Sequence, residues 1–284
     1  MSALLADVAE LKAAYDRQGW CRIPVRLDTD SVEHLRRRID LLCEQDRPDV
    51  VREKESGAVR GIHGCHAYDD LCAALVRHPL LLGLAEELVG GPVYAYQFKV
   101  NLKQAREGAA WPWHQDFAFW HEEDGMPQDR AVNIAVPLDD VHAGNGPLVL
   151  IPGTHRLGLL DLPQREEQGE RERGDWRSHV SADLAYTISG GRAEQLGREL
   201  GRQTLLGPAG TVHAFHPSIV HASSNNSSAD RRALLLITYN AVDNAPARPT
   251  RPTFLVSRDT EAITPEADPR LGVEVPAVGA TAGP

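Results

Sequence analysis

The sequence predicts a mainly β fold, a sandwich or barrel of antiparallel sheets preceded by helices. Three observations carry this. Apolar residues recur at helical spacing before position 92, and from Val93 the period changes to that of strands. The strand-like runs Val93–Leu102, Ala131–Leu138, Leu148–Ile151, Val212–Phe215 and Ala233–Tyr239 are short and divided by Gly, Pro and Asn.

In chain order, Leu4, Leu5, Val8, Leu11 and Tyr15 mark a first helix, and Asp30-Ser31 opens a second that runs through Leu35 and Ile39 to Leu42. Residues 44–70 hold Pro48, Gly57, Gly61 and Gly64 and are expected to be irregular. Leu71–Leu88 is expected to be a third helix, stopped by Gly90-Gly91-Pro92. The strands follow, interrupted at 161–203 by an insertion whose charged run Arg165–Arg173 suits a solvated surface or a mobile cover. From Ala245 the chain is rich in Pro and Ala and has no clear period, so a partly disordered or surface-draped tail is expected. The 284 residues are thus expected to form one domain: a helical N-terminal region over 1–92, a β core over 93–260 and an irregular tail over 261–284.

Composition excludes several classes of partner. The formal charge of -10 gives no electrostatic reason to bind nucleic acid or an anionic membrane. Four cysteines without a CxxC pair are expected to be reduced thiols. The first twenty residues are broken by charges and resemble neither a signal peptide nor a membrane span, so a cytoplasmic location is expected.

The chemistry concentrates in His114-Gln115-Asp116, His221 and Arg232. A His-x-Asp pair on a strand would put an imidazole and a carboxylate on one face, and a distant His would complete a half-open set. Two His and one carboxylate suit non-heme Fe(II). Aromatic neighbours from Trp111 to Trp120 bury the pair, and a buried Asp needs a cation. Among His213, His216 and His221, the last is preferred because it precedes the polar turn Ala222–Ser228. Arg231 and Arg232 must face opposite ways, and periodicity does not choose between them.

The run from Trp113 to Pro127, with Asn145-Gly146-Pro147 through His155-Arg156, resembles the phytanoyl-CoA dioxygenase family, especially its ectoine hydroxylase branch. The resemblance spans about Tyr94 to Tyr239. It implies a double-stranded β-helix (jelly roll) using Fe(II), 2-oxoglutarate and O2, with oxidative decarboxylation to succinate and CO2 coupled to C–H hydroxylation. His114, Asp116 and His221 match the iron ligands, and Arg232, eleven residues after His221, matches the partner of the distal 2-oxoglutarate carboxylate. Lys103, Ser223 and Asn133 match cofactor-side positions, and Gln97 and Trp120 match substrate contacts. His63, in a segment that covers the iron in the family, is a further substrate candidate.

The branch's usual Ser-Asp-Phe-Glu-Thr-Trp is Gln115–Trp120 here, and Ser218 and Ile237 replace aromatics. These departures imply a pocket for a small molecule other than ectoine, an amino acid, amino-acid derivative or natural-product intermediate. An acyl-CoA is disfavoured because the arginines of 165–177 alternate with glutamates. The rivals are a metal-dependent cupin-like enzyme and a ligand-binding jelly roll, neither using 2-oxoglutarate. Oligomeric state is not readable from the chain.

Overall fold

Two antiparallel sheets face one another in the computed structural model, which describes residues 2–161 and 176–276. The helices are α1 (Ser2–Gln18), α2 (Thr29–Cys43), α3 (Asp70–Val76), α4 (Pro79–Val89), α5 (Asp116–Asp124) and α6 (Gly190–Leu200). The strands are β1 (Trp20–Leu27), β2 (Val50–Arg52), β3 (Val59–His63), β4 (Val93–Lys103), β5 (Trp111–His114), β6 (Ala131–Pro137), β7 (Leu148–Ile151), β8 (Gln203–Thr204), β9 (Thr211–Phe215), β10 (Val220–Ser223), β11 (Arg232–Ala241) and β12 (Val273–Glu274). The large sheet runs β12-β1-β9-β6-β11-β4-β3-β2 and the small one β5-β10-β7-β8. This is the jelly-roll arrangement, with helices packed outside it.

Period two explains how one strand serves both layers. Along β11, Ala233, Leu235, Ile237 and Tyr239 face the helices, where they join Leu35, Ile39, Leu75, Leu81 and Phe98 in the largest apolar cluster. Leu234 and Leu236 face the small sheet and pack with Leu150, Phe215 and Ile219. Burial on both faces makes every residue of β11 buried. Each fully buried Leu or Ile contributes about 1.5–3 kcal/mol.

Several elements differ from expectation. The single helix over 71–88 is two, because Pro79 has no N–H to donate and disfavours a helical residue before it. His78 instead caps α4, its Nδ1 accepting from Leu80 N at 3.3 Å. The segment 44–70 contains the β2–β3 hairpin, which extends the large sheet through β4. The insertion carries α6 and β8, while its run Arg165–Arg173 lies outside the described residues, as do 277–284 of the tail.

The tail is not simply draped over the surface. Arg251, Leu255 and Val256 are buried, and Phe254 crosses Gly64 so closely that a Cβ there would sit 2.6 Å from the Phe254 carbonyl oxygen. Gly64 has φ +65°, a second reason for glycine. Among the described residues no helix is long and apolar enough to cross a membrane.

Candidate active site

Strand pairing brings the two histidines together. His221 on β10 is the direct cross-strand partner of His114 on β5, and their ring centroids lie 4.1 Å apart. Asp116 does not share their strand: β5 ends at His114, and Asp116 opens α5. A strand-to-helix corner, rather than period two, turns the carboxylate back towards the rings. His114 Nε2 and His221 Nε2 each lie 3.9 Å from an Asp116 oxygen, and the donor atoms of all three fall within 4.8 Å of one another.

Gln115 holds this corner. Its amide nitrogen donates to Ser218 O at 2.7 Å and Gly158 O at 2.9 Å, and its carbonyl accepts from Leu160 N at 2.9 Å. Gln115→Ala is expected to cost about 1–3 kcal/mol by leaving these buried groups unpaired. Thermal unfolding should show Tm lower by several degrees. An unchanged Tm would refute that bracing role.

The protonation states suit a cation. His114 Nδ1 lies 2.7 Å from Pro112 O and His221 Nδ1 3.0 Å from Ile219 O. A carbonyl only accepts, so each Nδ1 carries the proton and each Nε2 presents a lone pair to the centre. Burial, reinforced by the neighbouring His221, pushes His114 down to about 3, and burial also lowers His221. Burial opposes ionisation of Asp116, but the Lys99 ammonium beside it holds its carboxyl below the usual range. Lys99 Nζ donates to one Asp116 oxygen at 3.3 Å and Asn133 Nδ2 to the other at 2.9 Å. Two neutral imidazoles and one carboxylate fit a divalent iron ion with positions left open.

Farther along the same cleft, Arg232 is 2% exposed and donates through Nη2 to Gly146 O. The close approach of Gly146 explains its residue type: at φ +76°, a Cβ would lie 2.6 Å from Lys103 Cδ. Among the described residues, Arg232 Nε and Ser223 Oγ are buried without a hydrogen-bond partner. Burial, with Arg60 nearby, lowers the guanidinium to about 10. A desolvated cation and an idle hydroxyl facing one cavity fit a carboxylate ligand. Arg231 points the other way, to Asp40 and Asp139.

The remaining predicted residues divide. His63, Gln97 and Trp120 line the cavity beside the three ligands, Arg232 and Ser223. Asn133 does not line that cavity; its Nδ2 donates to Asp116 and its Oδ1 accepts from Thr238 Oγ1 at 2.6 Å. Lys103 stands across from Arg232 in the β4–β11 ladder, but its ammonium donates to Ala109 O and Ser224 O and lies outside the cavity wall. Burial and Arg232 push it down to about 6. Neither Ser218 nor Ile237 lines the cavity: Ser218 Oγ donates to Asp129, and Ile237 packs under the helices. Phe119, by contrast, lines it.

Lys99, His179 and Arg251 also line the cavity, and sequence reasoning missed them. Lys99 carried a usable signal, since it alternates with Gln97 and Asn101 on one face of β4. Arg251 and His179 lie in segments without periodicity. Arg251 bonds Asp124 through Nε at 3.0 Å, and its Nη2 reaches Asp124 and Tyr96.

A family model described as phytanoyl-CoA dioxygenase (PhyH) matches residues 15–234. The chain is 55% identical over 266 residues to an L-proline trans-4-hydroxylase of Streptomyces griseoviridis, covering 94% of this chain and 98% of that protein. It is 31% identical over 266 residues to an ectoine dioxygenase of Nocardia farcinica, covering 88% and 85%. The crystal structure of EctD from S. alaskensis with 2-oxoglutarate and 5-hydroxyectoine superposes with a TM-score of 0.75 at 29% identity, covering 91% of this chain and 86% of that one. The chain belongs to the phytanoyl-CoA dioxygenase family and is an Fe(II)- and 2-oxoglutarate-dependent hydroxylase of a small molecule.

Proposed function

We propose that the substrate is free L-proline, hydroxylated at C4 on the trans face. The observation that carries this is near-full-length similarity, at 55% identity, to an L-proline trans-4-hydroxylase. His114, Asp116 and His221 hold the iron, and Arg232 with Ser223 holds the distal carboxylate of 2-oxoglutarate. Bound there, iron with 2-oxoglutarate would supply the activation of O2, with succinate and CO2 as co-products. The protein's share is to orient the ring and exclude water.

The cavity suits a small zwitterion. Asp124 and Tyr96 take Nε and Nη2 of Arg251, and among the described residues no partner takes Nη1, which is left for a substrate carboxylate. Gln97 gives its amide N–H to Leu255 O at 2.7 Å and keeps Oε1 as an acceptor. Phe119, Trp120 and Leu255 supply apolar walls for ring carbons. Phe119 stands where the ectoine hydroxylase motif carries threonine, and its ring narrows the pocket towards a smaller substrate.

The test is incubation with Fe(II), 2-oxoglutarate, O2 and either L-proline or ectoine. Proline-dependent succinate and a product heavier by one oxygen atom, co-eluting with trans-4-hydroxy-L-proline, are expected. Turnover of ectoine alone would overturn the substrate assignment. Arg251→Lys keeps the charge but loses the planar fork, and should raise KM for L-proline by about 30-fold or more while KM for 2-oxoglutarate stays fixed. Equal KM values for L-proline in variant and parent would remove Arg251 from the substrate site.

A further inference from the structure

His179 belongs to the insertion and lines the cavity. Its side chain is 6% exposed. Nε2 lies 3.5 Å from Glu123 Oε1, which also accepts from Tyr186 Oη at 2.7 Å. Nδ1 is buried and has no partner among the described residues. Phe119 packs edge-on against the ring at 5.6 Å and against Tyr186 at 5.0 Å, fixing the plane of the imidazole. Nothing in the iron or 2-oxoglutarate chemistry uses this histidine.

Resting on the proline assignment above, we propose that His179, backed by Glu123, is the residue that recognises the secondary ammonium of the substrate. Nε2 faces the Glu123 carboxylate, which can only accept, so Nε2 is the nitrogen that carries the proton towards Glu123 and Nδ1 is the acceptor turned to the cavity. A buried acceptor without a donor costs free energy, and the substrate N–H removes that cost. The amino acid arrives with a positive charge that must leave water, and Glu123 sets a negative charge behind the imidazole to offset that desolvation. Two contacts tie this wall to the body: Lys54 Nζ meets Asp183 at 3.6 Å, and Arg60 Nε donates to Val180 O at 3.0 Å beside His179. Arg251 and His179 then divide the zwitterion, one taking the carboxylate and the other the amine. A polar site built for an N–H rejects an isostere lacking it far more strongly than an apolar wall would.

The experiment is anaerobic calorimetric titration of the Fe(II)–2-oxoglutarate enzyme with L-proline and with tetrahydrofuran-2-carboxylate, which replaces the N–H by oxygen. The parent enzyme should prefer L-proline by about 100-fold or more. His179→Phe should weaken L-proline by at least about tenfold, leave the oxygen analogue nearly unchanged and thus collapse the preference. His179→Gln, which keeps an acceptor, should restore some of it. If His179→Phe fails to fold, Glu123→Gln carries the test and should lower the preference in the same direction. Undiminished preference in the folded variants overturns the proposal, and so does equal weakening of both ligands, which would mean that His179 reads the carboxylate. Failure of the parent enzyme to bind either ligand would instead overturn the proline assignment and this inference with it.

Discussion

Arg232→Met is expected to raise KM for 2-oxoglutarate by roughly 30- to 5000-fold, the range for truncating one partner of a buried charge pair. The guanidinium is 2% exposed, and its Nε and the neighbouring Ser223 Oγ have no partner among the described residues. Burial has already lowered its proton affinity, so it sits where an anion is needed to justify the charge. Methionine fills the stem volume without the fork. The iron set is on β5, α5 and β10 and should be intact, so anaerobic Fe(II) binding should match the parent. The 2-oxoglutarate titration of the visible metal-to-ligand band should then require far higher concentrations. Oxygen consumption and succinate formation at unchanged KM would refute the assignment and favour a jelly roll that does not use 2-oxoglutarate. Arg232→Lys should fall between, because an ammonium keeps the charge but not the two-point geometry.

The period-two signal made β4, β6 and β11 legible, and β11 shows why: residues alternate between a helix-covered face and the cleft. β1 carries the same alternation, with Cys21, Ile23, Val25 and Leu27 buried between more exposed residues, but Pro24 argues against a strand. The sheet tolerates it because pairing with β9 is irregular between Arg22 and Arg26. The His-Gln-Asp motif was visible as a motif, whereas its geometry was not. A helix starting at Asp116 depends on Gln115 bridging to Gly158, Leu160 and Ser218, contacts at separations of 43, 45 and 103 residues. His179 and Arg251 were illegible for a related reason. Neither sits in a periodic run, and each reaches the cavity only because tertiary packing folds the insertion and the tail onto β4 and α5. Lys103 is a motif position whose side chain is drawn to the carbonyls of Ala109 and Ser224, the second a tertiary contact.

Asp116→Ala is expected to abolish substrate hydroxylation and to weaken Fe(II) binding while leaving the fold intact. The carboxylate is the only anion of the three-ligand set, and two neutral imidazoles alone bind a hard divalent ion less well. It also gathers Lys99 and Asn133, which hold its two oxygens at 3.3 and 2.9 Å. Loss of such supported ligands or of their partners costs roughly 10–100-fold in metal affinity or more. Folding should tolerate the change, since removing one buried carboxylate also removes its desolvation cost, and Lys99 is only partly buried and can turn to water. Two measurements separate the effects: circular dichroism with thermal unfolding for the fold, and anaerobic Fe(II) titration with succinate detection for the site. A folded variant that binds iron with parental affinity and forms succinate at the parental rate would exclude Asp116 as a ligand. A variant that keeps iron but loses turnover would place its role in shaping the open coordination positions, because removing the carboxylate vacates one more site for water and changes where the substrate C–H stands relative to the metal.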